Sequence, residues 1–259
     1  MKTFCFTVDD NIRFLKEITQ EHSGSIFDHP YLAMYRRLHR EYGVKVQLNL
    51  FYRLGDFDLS QMPDTYEKEW EENADWLKLS FHSDCEIKDP YASADYEELY
   101  EDCRKVHGNI LRFASPAALA KTTTVHWCQT TEDGVRALAD MGVKGLLGLF
   151  GNPQNPKTSY SIREEYAKEL RRGKTIKIGD VYFAAIALVL NNYSAEGIRE
   201  KLGTILDRDA IKVMIHEQYF YPDYPSYQED FEEKLGACFA FLKNEGYTSC
   251  FFEDVIGEA

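Results

Sequence analysis

Four apolar segments of this sequence end on residues that can bind a metal ion or move a proton. The run from Phe4 to Val8 is followed directly by the adjacent carboxylates Asp9 and Asp10. Three other short apolar runs each end on a histidine, and these are His82, His126 and His216. A carboxylate can bind a hard cation or act as a base, and an imidazole binds metals and exchanges protons near neutral pH. Because the carboxyl ends of parallel barrel strands meet at one face, this pattern predicts a metal-dependent active site at the top of an α/β barrel.

The segments between these residues fit such a barrel, because short apolar stretches alternate with amphipathic ones along the chain. We predict strands at 3–8, 44–51, 77–82, 122–127, 143–150, 184–190, 211–216 and 249–252. We predict helices at 30–42, 65–76, 93–113, 131–141, 194–206 and 227–244, several with a Ser, Thr or Asp cap and a following Gly. The stretch 151–181 interrupts this rhythm and predicts an elaborated loop with a hairpin at 179–180. The predicted fold class is α/β, a single distorted barrel of seven to eight parallel strands spanning residues 1–259.

Composition narrows the choice of partners and location. With 259 residues, 44% of them hydrophobic and 28% charged, the chain suits one large domain. The formal net charge is −13 and the basic residues are scattered, so we expect no binding to nucleic acid or to an anionic membrane. Neither a leader-like segment nor an apolar run of membrane-spanning length is recognisable, which predicts a cytoplasmic protein. The six cysteines lie far apart without a C-x-x-C pair, which favours reduced thiols.

Three segments resemble motifs of the polysaccharide deacetylases, the carbohydrate esterase group that includes chitooligosaccharide and peptidoglycan deacetylases. FTVDDN is similar to the first motif of that family, T-F-D-D-G. SFHSDCE is similar to the second motif, H-S/T-x-x-H, and VMIHE to the late L-x-H motif, in the order of the family. The resemblance spans nearly the whole chain. It implies a distorted (β/α) barrel, usually described with seven strands, and metal-dependent removal of an acyl group from an amide or ester.

The resemblance also implies roles for individual residues, with two departures. Asp9 would be the general base, and Asp10 and His82 would bind the metal. The place of the third ligand histidine is taken by Glu86, which is a competent oxygen ligand. The arginine-proline motif of the family is absent, and His126 stands in that region as either a replacement ligand or a substrate contact. We therefore predict a divalent metal, preferably zinc, at Asp10, His82 and either Glu86 or His126.

His216, in the late motif, is predicted to be the general acid that protonates the leaving amine after Asp9 has taken a proton from water. The default substrate, by resemblance alone, is a small acylated carbohydrate or a related small molecule.

Further residues near the strand ends are candidates for substrate binding. An aromatic run that includes Tyr219 and Tyr221 follows His216, and it predicts either a platform for stacking a sugar or packing of the loop. Trp127 lies in the region of the missing arginine motif and is a candidate contact. Glu217 can orient the neighbouring histidine or contact the substrate.

Two other functional classes remain open at this point. The first is a catalytically degenerate relative that binds a carbohydrate in the same cleft, as the missing histidine and arginine motifs would allow. The second is a barrel glycosidase with two carboxylates about 5–10 Å apart. Asp9, Glu217 and Glu253 are the residues that such a pair would use.

Overall fold

Twelve strands and eight helices lie within residues 2–86, 91–151 and 159–256, which are the residues that this computed structural model describes. The strands are β1 (Thr3–Asn11), β2 (Val46–Phe51), β3 (Arg53–Leu54), β4 (Phe57–Asp58), β5 (Leu77–Ser83), β6 (Thr122–Thr123), β7 (Gly145–Gly148), β8 (Ile176–Ile178), β9 (Val181–Ala185), β10 (Leu188–Val189), β11 (Ala210–His216) and β12 (Thr248–Ser249). The helices are α1 (Arg13–Glu21), α2 (Pro30–Tyr42), α3 (Glu67–Glu72), α4 (Tyr96–Phe113), α5 (Glu132–Asp140), α6 (Glu164–Arg171), α7 (Ala195–Gly203) and α8 (Phe231–Asn244).

Two sheets of mainly parallel strands form the centre of the protein. One has the order β10-β11-β1-β2-β5, with the short β12 beside the start of β1, and the other has the order β6-β7-β9-β8. The sheets meet at two places. Beside β6, the Ala120 amide donates to the Leu79 carbonyl of β5 at 2.8 Å. Elsewhere the chain itself runs from β9 into β10, which pairs with β11, and there the Ala187 amide donates to the Lys212 carbonyl at 2.7 Å. The strands therefore surround a common interior, as expected for the distorted barrel predicted from the sequence.

Alternation along the strands divides the apolar residues into two clusters. Phe4, Phe6 and Val8 belong to the large cluster between the strands and the helices, where the ring of Phe6 lies 4.9 Å from that of Phe239 in α8. The residue between the two phenylalanines, Cys5, belongs instead to a small cluster with Leu147, Ala184, Ile186, Met214, Cys250 and Phe252. Because successive side chains of a strand point to opposite faces, the inner face of β1 leads from Cys5 to Asp9.

Helix α1 was not predicted from the sequence, and the reason lies in how its first turn is capped. The residue before the helix, Ile12, provides no side-chain cap. Instead, the distant carboxylate of Glu217 accepts hydrogen bonds from the amides of Ile12, Arg13 and Phe14 at 2.7, 3.0 and 2.8 Å. A negative charge also favours a helix N-terminus electrostatically. Since the capping carboxylate lies 205 residues away from Ile12 in the sequence, no signal near residue 12 marks the start of the helix.

The remaining elements agree with the predicted ones to different degrees. Helix α2 has the predicted bounds, and it is capped by Gly43, whose φ of 72° is in the left-handed region. The predicted hairpin is present as the antiparallel pair β8–β9. The predicted strand at 122–127 is wrong beyond Thr123, because a tight turn over His126–Cys128 follows it. The Asn/Pro-rich start of the predicted loop, 152–156, lies outside the described residues. None of the described helices is both long enough and apolar enough to cross a membrane.

The buried His107 should make the stability of the fold depend on pH. It lies in α4, 3.7 Å from the Cys103 sulfur, and burial lowers its pKa to about 4. In the unfolded chain, His107 takes up a proton near pH 6.5. Its contribution to the free energy of unfolding is therefore complete above pH 6.5 and is lost as the pH falls towards 4. We expect the free energy of unfolding, measured with urea, to fall by about 3 kcal/mol through this group alone. The His107→Leu variant should show a correspondingly shallower pH dependence between pH 7 and 4, and equal slopes would contradict the assignment.

Candidate active site

A β-bulge brings both carboxylates of the Asp9–Asp10 pair to the same cavity. In a regular strand they would point to opposite faces. The register of β1 against β2 shifts between Val8 and Asn11, and Asp10 has a φ of 63°. Aspartate tolerates this left-handed conformation better than most residues, and a bulge re-aims the side chains beside it. As a result, Asp9 and Asp10 both line the cavity at the carboxyl end of β1.

Asp10, His82 and His126 form a compact group of potential metal ligands. The Asp10 Oδ1 atom lies 3.0 Å from His82 Nε2 and 3.4 Å from His126 Nδ1. The two histidine nitrogens lie 3.1 Å apart. His82 is near the end of β5, and His126 begins the turn after β6, so neighbouring elements deliver the three side chains. Among the described residues, these three are the group whose ligand atoms converge closely enough to hold one ion.

The hydrogen bonds on the far side of each imidazole show why this group suits a cation. His82 Nδ1 lies 2.5 Å from the Thr124 carbonyl oxygen, and His126 Nε2 lies 3.2 Å from the Glu86 carbonyl oxygen. A carbonyl oxygen only accepts hydrogen bonds, so these nitrogens carry the protons. In the neutral imidazoles, the nitrogens that face each other and Asp10 then present lone pairs, which repel unless a positive charge, either an added proton or a metal ion, lies between them. Fixing the ligand tautomer through an outer hydrogen bond is a general feature of metal-binding histidines.

The pKa shifts within this group result from the contacts between its carboxylate and its imidazoles. Burial alone would raise the pKa of Asp10, but its hydrogen bonds with His126 and His82 hold that pKa well below the usual range. Burial alone would lower the pKa of His82, but the charge of Asp9 and the hydrogen bond with Asp10 raise it. The group therefore favours the charged form of the Asp10 carboxylate and a positive charge in the space between the three ligand atoms. A bound cation would supply that positive charge.

Asp9 lies deeper than Asp10 and has a different environment. Its side chain is almost completely buried, and burial raises its pKa, although the neighbouring His82 and His216 oppose this shift. The Asn49 amide donates a hydrogen bond of 2.7 Å to Asp9 Oδ1. A buried carboxylate with few donors is a stronger base than one in water, because desolvation disfavours its charged form.

His216 ends β11 directly beside Asp9, because the two residues are register partners in the parallel pair β1–β11. Its Nδ1 atom lies 2.8 Å from Asn191 Oδ1, which fixes the ring. Its Nε2 atom has no hydrogen-bond partner within the described parts of the chain. The imidazole is thus oriented and has one nitrogen available to a ligand in the cavity.

The cavity that these residues share has a volume of about 720 Å³ and a partly aromatic rim. Its described lining consists of Asp9, Asp10, His82, Glu86, His126, Trp127, Cys128, Leu149, Val189, Asn191, Asn192, Met214, His216, Gln218, Tyr219 and Tyr224. Trp127 is 66% exposed and has a φ of 59°, so the backbone turn holds a large indole out at the rim. Tyr219 and Tyr224 pack edge to face on the side that follows β11, with ring centroids 5.4 Å apart. Aromatic faces exposed in this way can stack on a ligand.

Not every predicted site residue belongs to this cavity. Glu217 is buried beneath it, where its carboxylate caps α1 and accepts a hydrogen bond from the Tyr221 hydroxyl at 2.8 Å. Tyr221 packs under the Arg13 guanidinium, 3.9 Å from it. The predicted substrate contacts at Glu217 and Tyr221 are therefore not supported, because both side chains are occupied within the protein. Glu86 reaches the rim, but its side chain is exposed and its carbonyl is the group that holds His126.

Three amide side chains in the site were not predicted. Asn49 contacts Asp9, Asn191 contacts His216, and the Gln218 amide donates to Asp10 Oδ2 at 2.8 Å. For Asn49 there was a usable signal, because it interrupts the apolar run of β2 at an inward position. Asn191 and Gln218 follow strand ends in irregular segments, where no periodicity indicates which way a side chain points.

Comparison with known proteins shows a likeness at the level of the fold only. No protein-family model matches the chain, and no curated protein matches it. Several solved structures do resemble it in fold. A family 4 acetyl xylan esterase from Clostridium thermocellum, solved with a cobalt ion, is 12% identical with a TM-score of 0.54 over 98% of this chain and 89% of that one. A peptidoglycan N-acetylglucosamine deacetylase is 11% identical with a TM-score of 0.54 over 97% of this chain and 86% of that one.

A 4-α-glucanotransferase from Thermococcus litoralis shares the same fold over part of its length. It is 12% identical with a TM-score of 0.60 over 100% of this chain and 41% of that one. These likenesses confirm the α/β fold class predicted from the sequence, which an acetyl xylan esterase and a peptidoglycan deacetylase share. Because the same fold also occurs in a glucanotransferase, function has to be argued from the site.

Proposed function

We propose that this protein is a metal-dependent hydrolase that removes an acyl group, in the first instance acetyl, from an amide or ester of a sugar-like substrate. The observation that carries the proposal is the convergence of Asp10, His82 and His126 next to Asp9 and His216 in one cavity. The likeness in fold to a xylan esterase and a peptidoglycan deacetylase supports the same class of reaction.

The metal would be held by Asp10, His82 and His126. Two imidazole nitrogens and one carboxylate oxygen leave further coordination positions for water and substrate, and this ligand set suits zinc. When bound, a divalent metal lowers the pKa of water and polarises an acyl carbonyl. Gln218 holds the second oxygen of Asp10, which keeps the other oxygen directed at the histidines.

Asp9 and His216 would carry the proton transfers. Asp9 is buried beside the ligand group with one oxygen held by Asn49, so its other oxygen can accept the proton of the attacking water. His216, fixed through Nδ1, would donate a proton from Nε2 to the leaving amine or alcohol. The two residues are register partners across β1 and β11, and both line the same cavity.

The rim of the cavity favours a carbohydrate portion in the substrate. Trp127 offers an open indole face, and Tyr219 and Tyr224 line the same cavity. The apolar face of a sugar ring stacks on such surfaces while its hydroxyls remain in water. A cytoplasmic location stays part of the proposal, because all six cysteines are free thiols.

The two carboxylates considered as partners of Asp9 in a glycosidase, Glu217 and Glu253, are both engaged elsewhere in the protein. Glu217 is committed to the N-terminus of α1. Glu253 lies at the amino ends of the strands, where it pairs with Lys78 at the start of β5 at 2.5 Å and accepts from the Lys121 amide. Neither carboxylate can form a pair with Asp9 across a glycosidic bond.

An assay of acetate release tests the proposed function. Purified protein should release acetate from acetylated chitooligosaccharides, lose this activity on treatment with a chelator, and regain it when Zn²⁺ is added. An acetylated aliphatic amine without a sugar ring should be a poorer substrate than the acetylated sugar. If metal and sugar bind but no acetylated amine or sugar is hydrolysed, the protein is a binding relative. Chelator-resistant cleavage of a glycoside would instead support the glycosidase.

A further inference from the structure

The side chain that holds Asp9 belongs to a chain of buried hydrogen bonds that crosses the barrel interior. The Asn49 amide donates to Asp9 Oδ1 at 2.7 Å. The Gln47 amide in turn donates to Asn49 Oδ1 and to the Thr122 carbonyl, each at 2.8 Å. The Thr122 hydroxyl donates to Gln47 Oε1 at 2.9 Å. Two adjacent inward positions of β2 therefore connect Asp9 to β6, on the far side of β5.

The direction of this chain is fixed at its far end. A backbone carbonyl can only accept a hydrogen bond, so the Gln47 NH₂ group must face the Thr122 carbonyl. The same NH₂ group reaches Asn49 Oδ1, so Asn49 must turn its own NH₂ group towards Asp9. An amide turned the other way would set two acceptor oxygens against each other. The polarity of the Asn49 side chain follows from the network rather than from an arbitrary amide assignment.

Burial leaves these groups no alternative partner in water. Asp9, Gln47, Asn49 and Thr122 are each at most 1% exposed. The main chain of Asn49 is also held, because the Asn11 side chain donates to its carbonyl at 3.2 Å. Buried polar networks in which each member is satisfied act as rigid supports for the group at their end.

We propose that Asn49 and Gln47 are positioning residues for the reaction. This inference rests on the proposed function, because it assigns them to the general base of that site. Asn49 holds Asp9 Oδ1 and thereby directs Oδ2 towards the attacking water, while Gln47 sets the direction in which Asn49 donates. Neither residue is part of the described lining of the cavity, and no hydrogen bond joins either of them to Asp10, His82 or His126.

The first test measures turnover in variants that keep side-chain volume but remove the hydrogen bonds. Asn49→Leu should lower kcat about 10- to 100-fold, the range expected when a hydrogen bond to a buried charged group is removed. KM for the acetylated substrate and the zinc content should stay within about twofold. Gln47→Met should cost less, since Asn49 can still donate to Asp9 from one of its two orientations.

A matched control separates positioning from a general disturbance of the barrel. Thr7 also points inward from β1, and its buried hydroxyl has no hydrogen-bond partner among the described residues. Thr7→Val should therefore leave kcat unchanged. If Thr7→Val lowers kcat as much as Asn49→Leu does, the loss comes from the barrel as a whole and the proposal is overturned.

A double-variant cycle tests whether Asn49 acts through Asp9. In an Asp9→Asn background, Asn49→Leu should cause no further loss, because the base it positions is already absent. A merely structural role would lower the activity of both backgrounds by the same factor, and that outcome would sink the proposal.

A crystal structure of the zinc-loaded Asn49→Leu protein gives a readout that does not depend on activity. The Asp9 carboxylate should adopt a second rotamer or split between two, while Asp10, His82 and His126 stay in place. An unmoved Asp9 overturns the positioning role. Absence of acyl hydrolysis by the parent protein would overturn the proposed function instead. The crystal structure would still show whether Asn49 positions Asp9, because the Asp9 carboxylate would either have moved or have stayed in place.

Discussion

Alanine at Asp10 or His82 should abolish metal binding. Each supplies one atom to the three-ligand group, and even outer-shell partners of metal ligands typically change affinity by about 10- to 100-fold, so loss of a ligand should exceed that. The parent protein should contain about one Zn²⁺ per chain, measured by elemental analysis after dialysis, and either variant close to none. Unchanged metal content in both variants would end the assignment.

The same measurement decides which residue completes the site. His126→Ala should also lose the metal, because His126 Nδ1 lies 3.1 Å from His82 Nε2 and 3.4 Å from Asp10 Oδ1. Glu86→Ala is the matched control, since only its backbone carbonyl supports His126. We expect this variant to keep its metal. Loss of metal from Glu86→Ala, with retention in His126→Ala, would reverse the choice.

Replacing Asp9 by asparagine should leave the fold and the metal content intact but lower kcat about 100-fold or more, the contribution typical of general-base catalysis. The amide is nearly isosteric, and its oxygen can still accept the hydrogen bond from Asn49. Steady-state hydrolysis of an acetylated sugar and of an activated acetyl ester provides the measurement. If the variant hydrolysed the activated ester as fast as the parent protein does, Asp9 would not be the base.

His216→Ala provides the comparison that separates base from acid. Its loss in kcat should be similar to that of Asp9→Asn on an amide, whose leaving amine must be protonated. The loss should shrink on an ester with a good leaving group, which departs without a proton. A loss of the same size on both substrates would contradict the role of His216 as the acid.

Most of the barrel follows from local patterns in the sequence. Strands were predicted where apolar runs end on His82 and His216, and the structure has β5 and β11 there. Helices with a local cap were also predicted closely. Ser194 caps α7 through its side chain, for example, and this signal lies within three residues of the amide that it binds.

The candidate site was predictable for those residues whose side-chain direction depends only on the alternation along a strand. Asp9, His82 and His216 occupy inward positions at the carboxyl ends of parallel strands, so their convergence follows from the topology. The turn at His126–Cys128 was not predictable, because its left-handed residues are stabilised by the surrounding fold and not by glycine. This turn delivers His126 to the ligand group and Trp127 to the rim.

By itself, the sequence determined the alternation of strands and helices, the residues with metal-binding and proton-transfer chemistry, and the end of the barrel where they meet. These properties depend on side-chain type and on periodicity over a few neighbouring residues. The tertiary structure alone decided that α1 forms, that Asp9 and Asp10 share a cavity, and that Asn49 holds Asp9. Each of these depends on a contact between distant segments: Glu217 with the start of α1, the bulged register of β1 on β2, and Gln47 with β6. A hydrogen bond between residues 40 or 200 positions apart leaves no periodic trace in the chain, because its geometry exists only after the strands have come together.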